Sequence, residues 1–113
     1  MKYKLYQIQL TNDEVKRANA GEYIPRVAAW RNLLMGDEYK PEYREFYEHV
    51  ATIEAENLDE VFEFGNIGPE SKIERHSSMH SVSVGDIIVD ENGAAFMVLG
   101  IGFGELSEFY GGK

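Results

Sequence analysis

Cysteine is missing from the 113 residues. Its absence removes a disulfide framework, thiolate catalysis and cysteine-held zinc. Positive charge is scarce: 11 Lys+Arg face 20 Asp+Glu, a formal charge of −9. Phosphate backbones repel a surface of that sign, so direct nucleic-acid binding is disfavoured. No apolar run approaches the ~20 residues that span a bilayer. The first residues, MKYKLYQIQLTNDE, alternate and then turn acidic, as a strand does and a signal peptide does not. These features point to a cytoplasmic protein with no membrane association.

What is present favours a folded domain. Apolar residues make up 43% of the chain, and 7 Tyr, 6 Phe and 1 Trp argue against disorder. The length suits a single domain, residues 1–113, that buries a core without metal or disulfide staples. The acidic excess keeps such a domain in solution or offers a face to a basic protein partner.

Residues 3–10 alternate, with apolar side chains on both faces. Period two with aromatic and branched residues predicts an interior strand. Thr11 and Glu14 have capping-box spacing and open a helix over 12–19, with Gly21 ending it. Pro25 suits the first turn of a second helix, 25–35. Its apolar stripe is Ile24, Val27, Ala28, Arg31 and Leu34, with Trp30 and Leu33 beside it and Trp30 anchoring it on the sheet. Residues 37–45 read as a loop or single turn, since Pro41 interrupts them. Tyr39, Tyr43 and Tyr47 recur every four positions. Tyr39 and Tyr43 are therefore candidates for partner binding, against the plainer reading of partly buried rings with exposed hydroxyls.

Residues 46–54 alternate as a second strand. Asn57 caps a helix over 58–64 with Leu58, Val61 and Phe62 inward and Phe64 as a further candidate for that face, closed by Gly65-Asn66. Residues 67–78 have no period and read as a loop. Strands at 86–90 and 94–100 flank the turn Glu91-Asn92-Gly93. Gly100, Gly102 and Gly104 read as a turn or bulge. A last short strand or turn follows at 106–110, and 111–113 are expected to fray. The fold class is α+β: a mainly antiparallel sheet of four or five strands with short helices mostly on one face. The expected core includes Leu5, Val50, Ile53, Val84, Ile87, Val89, Phe96, Val98 and Ile101. An exposed apolar edge on the 94–100 strand offers a route to a homodimer.

The motif-like stretch is His80-Ser81-Val82-Ser83-Val84-Gly85-Asp86-Ile87-Ile88. The valines suit the core, while Ser81 and Ser83 suit local hydrogen bonds. Gly85 permits a sharp bend, and Asp86 can accept N–H groups of the turn. Together with Leu58-Asp59-Glu60-Val61-Phe62, Asn66, Phe96-x-Val98 and Gly102-Phe103, this order resembles the YodL-like family, over about half the chain. The pattern departs from that family at Val82, Gly85 and Ala95-Phe96, and residues 1–50 carry no match. The resemblance implies a small protein of a phage or mobile element, in a host cytoplasm, and supplies no catalytic residues.

Candidate chemistry lies between Arg75 and Asp86. His76 and His80 are four apart, but no HExxH pattern or third ligand accompanies them, so neither a metal nor another cofactor is expected. His76, His80 and Asp86 are weak catalytic candidates, and there is no GxSxG elbow. Arg75, His80, Ser81 and Ser83 are binding candidates. The preferred reading makes this stretch scaffold, with His80 fixing the loop through a backbone carbonyl. It makes the whole a non-catalytic accessory protein that binds another protein through an acidic surface, in one version by mimicking DNA. The rival is a small enzyme or ligand-binding domain using residues 75–86.

Overall fold

The computed structural model of the chain describes residues 1–107 and residue 109. Six strands form one antiparallel sheet: β1 (Lys2–Ile8), β2 (Tyr47–Glu54), β3 (Ile73–Arg75), β4 (Ile87–Val89), β5 (Ala95–Val98) and β6 (Phe103–Leu106). Their spatial order is β3-β2-β1-β4-β5-β6. The α+β class and the antiparallel sheet are as expected, with six strands in place of four or five. β1 is interior, between β2 and β4.

Both faces of the sheet are covered. On one, Tyr6, Ile8, Tyr47, Ile87 and Met97 meet Ala29 and Leu33 of α2 (Pro25–Leu34). On the other, Tyr3, Leu5, Ile53, Ile88 and Val98 meet Val61 of α3 (Leu58–Asn66). Helix α1 (Asn12–Asn19) buries no residue. It stays beside α2, where Glu14 and Arg26 form an ion pair at 3.4 Å. Among the described residues, α1 and α2 thus share a side, and α3 takes the other.

A bulge in β2 makes this possible. Leu5 pairs with Ala51 and Tyr6 with His49, leaving Val50 as the extra residue. Strict alternation would send Val50 and Ala51 to opposite faces. The bulge sends both to the α3 side, with Ile53, while Tyr47 stays on the α2 side.

Several expected positions are corrected. Val84 and Phe96, expected in the core, are half-buried and belong to neither cluster, because Phe96 alternates with buried Ala95 and Met97 and the strap turns Val82 inward instead of Val84. Leu34 is exposed and Leu33 buried, because the buried stripe of α2 runs through Val27, Ala29 and Leu33. Phe62 is 41% exposed, since α3 turns Val61 inward with Leu58 and Phe64 beside it. Ile101 is 94% exposed at the tip of the β5–β6 turn, where Leu99 N–H donates to Gly102 O. Gly65-Asn66 does not end α3: the helix runs through Asn66 and Gly68 follows at φ 99°.

Residues 67–78 hold a 3-10 turn, Glu70–Lys72, and β3, which the edge of β2 recruits although Ile73 is its one apolar residue. Residues 41–46 also form a 3-10 turn. The last strand lies at Phe103–Leu106, upstream of the expected 106–110. Residues 108 and 110, and the tail at 111–113, lie outside the described residues. β5 pairs on both sides, with β4 and β6, so the apolar edge expected to promote a homodimer is covered. No helix among the described residues is long and apolar enough to cross a membrane.

Candidate functional site

Residues 76–85 leave β3 at one edge of the sheet and return the chain to β4. This strap crosses the α3 side and inserts Val82, 2% exposed, into the core. Burying a valine contributes about 1.5–3 kcal/mol. Two glutamines hold the strap, Gln7 of β1 and Gln9 just beyond its end. Gln7 Nε2–H donates to His80 O and to Asp86 Oδ2, each at 2.9 Å. His80 N–H donates back to Gln7 Oε1 at 3.1 Å. Gln9 Nε2–H donates to Ser78 O at 2.8 Å.

Asp86 closes the strap. Its Oδ2 also accepts Ser83 N–H at 2.9 Å, as the motif predicts. Gly85 takes φ 95°, a conformation that favours glycine, and Tyr47 Oη donates to its carbonyl. Burial pushes the Asp86 carboxyl up to about 6, against the opposing pull of Ser83 N–H, the His80 charge and Gln7. Ser83 Oγ–H donates to Ser81 O at 3.1 Å. Burial also raises the Tyr47 hydroxyl, with Asp86 adding to it.

The candidates between residues 75 and 86 are thus divided among three places. Asp86 is sealed beneath the strap with Gln7. Arg75, His80 and Ser81 share a polar cleft of about 220 Å³ with Asn66 and Glu70, beside the C-terminus of α3. There Glu70 holds Arg75 through two oxygens at 2.7 and 3.3 Å. His80 is exposed, and its Nδ1–H donates to the adjacent Ser81 O at 2.9 Å, a carbonyl contact within the strap; the tie across the sheet expected of the His80 side chain is made instead by Gln7 to the His80 backbone. Asn66 Nδ2–H joins helix to strap by donating to Phe62 O and Val82 O.

His76 lies on the opposite side of the sheet. Its ring centroid is 4.6 Å from that of His49, which stacks on Tyr6 at 5.3 Å. Thr52 Oγ1 stands 2.9 Å from His76 Nε2 and 3.4 Å from His49 Nε2. Burial lowers the His49 imidazole, and the charges of His76 and Lys4 lower it further. Among the described residues no three His, Cys, Asp or Glu side chains gather as metal ligands would.

The tyrosines are placed differently from an exposed stripe. Tyr43 is buried, Tyr39 half-buried, and Tyr39 and Tyr47 pack near Phe109. Gln7, His49 and Thr52 are the site-forming residues that sequence reasoning passed over. Gln7 shares a face with Tyr3 and Leu5 in the alternation of the strand, and the structure buries it fully.

The site belongs to an α+β domain whose motif residues mainly hold one crossing segment in place. Comparison with family models, curated proteins and solved structures finds no match for this chain.

Proposed function

We propose that the chain is a non-catalytic accessory protein that binds another protein through its acidic surface. The observation that carries this reading is the excess of uncompensated surface carboxylates. Among the described residues, ion pairs engage Asp13, Glu14, Glu22, Glu54 and Glu70. Against the formal charge of −9, the remaining surface carboxylates keep their charge available to a partner. The resemblance to the YodL-like family supports a phage or mobile-element setting and a host cytoplasm. A DNA-mimic mode is the narrower version, in which carboxylates take the place of phosphates on a nucleic-acid-binding protein.

The immobilised chain should retain a basic protein from host lysate at low salt and release it as salt rises. Recovery of no partner at low salt contradicts the proposal.

One observation favours a second reading, a small ligand-binding or catalytic domain: Arg75, His80 and Ser81 line one cleft. Titration with inorganic phosphate, followed by the His80 ring resonances, tests it. Saturable shifts support that reading, and unchanged resonances remove it.

A further inference from the structure

We propose that the groove between α3 and the β5–β6 hairpin docks a basic amphipathic segment of another protein. The inference rests on the acidic-surface reading above and names the site and the chemistry that enters it.

Two adjoining hollows, sharing Asp59 and Phe103, make the groove. The larger, about 560 Å³, has Tyr3, Leu58 and Phe96 as its floor. The smaller, about 220 Å³, runs past Phe62, Val98 and Leu99. Phe62 and Leu99 are 41% and 38% exposed, although both belong to segments fixed by the fold. Phe62 and Leu99 therefore give the groove apolar anchors inside a polar rim, the arrangement an interaction surface uses.

The rim supplies the sign of the partner. Glu56, Asp59 and Asp90 line the groove, and among the described residues no lysine or arginine does. The cation beside it, the Met1 α-amine, is already bonded to Glu54 at 2.8 Å. Asp90 uses Oδ1 to hold the hairpin turn, accepting Asn92 N–H and Ala94 N–H. Glu56 and Asp59 have no ion pair among the described residues. The Tyr3 hydroxyl registers the same field: burial raises it first, then the charges of Asp90, Glu91 and Glu56.

An apolar floor with an anionic rim is complementary to a helix that sets apolar anchors on one face and lysine or arginine along its flanks. A second copy of this chain fits less well, because it would bring a carboxylate rim against a carboxylate rim in a protein of charge −9.

The test uses the full chain, labelled with 15N, and a fluorescein-tagged Leu/Lys amphipathic peptide, with its Leu/Glu counterpart as control. The Leu/Lys peptide should shift the amides of Tyr3, Leu58, Phe96 and Phe103, and the Leu/Glu peptide should not. Phe62→Ser, Leu99→Ser and Glu56→Lys should each weaken binding about tenfold. Glu38→Lys, in the loop after α2, should change it less than about twofold. Circular dichroism establishes that each variant is folded. Shifts confined to other surfaces, or equal weakening by Glu38→Lys, overturn the groove while leaving the acidic-surface reading in place. Failure of the Leu/Lys peptide to bind at low salt overturns the groove, while the acidic-surface reading stands or falls on the lysate retention. A dimer that Phe62→Ser abolishes overturns the proposal in favour of self-association.

Discussion

Gly65 of α3 lies against Val82 of the strap so closely that a Cβ on Gly65 would stand 2.2 Å from Val82 Cγ2. The glycine sits inside a helix, where alanine is ordinarily better by about 0.5–1 kcal/mol. Here the sign reverses. Gly65→Ala must displace Val82 from a packed core and should cost about 1–3 kcal/mol in urea denaturation. Adding Val82→Ala should recover part of that loss, since the smaller side chain makes room. Stabilisation by Gly65→Ala would show that strap and helix are not in contact.

Adjacent leucines of α2 should behave differently. Leu33 is fully buried and faces Gly85, where a Cβ would come within 3.0 Å of Leu33 Cβ. Leu33→Ala should cost about 2–5 kcal/mol. Leu34 is 42% exposed, and Leu34→Ala should stay within about 0.5 kcal/mol. Equal losses in thermal or urea unfolding would place the helix in a different rotation.

The two capped helices separate local from global stability. Thr11 Oγ1 accepts Glu14 N–H at 3.0 Å, and Asn57 Oδ1 accepts Glu60 N–H at 2.9 Å. Either cap is worth about 1 kcal/mol. Helix α1 buries nothing, so Thr11→Ala should speed amide exchange in residues 12–19 and leave global unfolding nearly unchanged. Helix α3 carries Val61 into the core, so Asn57→Ala should lower global stability. The reverse pattern would contradict this assignment of roles.

Two titrations, of buried Asp86 and half-buried His49, should oppose each other. Asp86 has its folded pKa raised from 3.8 to about 6, so it contributes stability that is lost as pH rises between those values. His49 has its folded pKa lowered from 6.5, so stability falls as pH drops below 6.5. Relative to wild type, Asp86→Asn should become progressively more stable from pH 4 to 6. His49→Gln should remove the loss on acidification below 6.5. Urea midpoints measured across this range check both signs, and parallel curves for wild type and variants would refute the two assignments.

The legible parts of the fold are those where local chemistry and periodicity agree. The capping box at Thr11, Pro25 in the first turn of α2, and Val82, Gly85 and Asp86 of the motif act as their residue types suggest, whereas Val84 stays half-buried outside the core. The hairpin turn also forms, with Gly93 alone taking positive φ among residues 91–93. The illegible parts depend on partners distant in sequence. β3 exists because β2 has an edge to pair, and Ile73 by itself gives no period. The Val50 bulge breaks an alternation that looks regular in the sequence. Residues 75–86 look like one cluster because they are adjacent in the chain. The crossing of the strap sends His76 to one side of the sheet, His80 to the other and Asp86 inward. Gln7 reads as an ordinary strand residue until the strap passes over it.

The central claim is that the motif residues hold the strap while the outer surface does the binding. Gln7→Ala tests it most directly, with urea unfolding and Leu/Lys peptide affinity measured on the same protein. Removing the carboxamide leaves His80 N–H without its acceptor and takes one of two donors from Asp86 Oδ2, so the account predicts a loss of about 1–3 kcal/mol in stability. Affinity of the folded variant should stay within about twofold of wild type. Unchanged stability with peptide binding abolished would contradict the account and place the function in the strap itself.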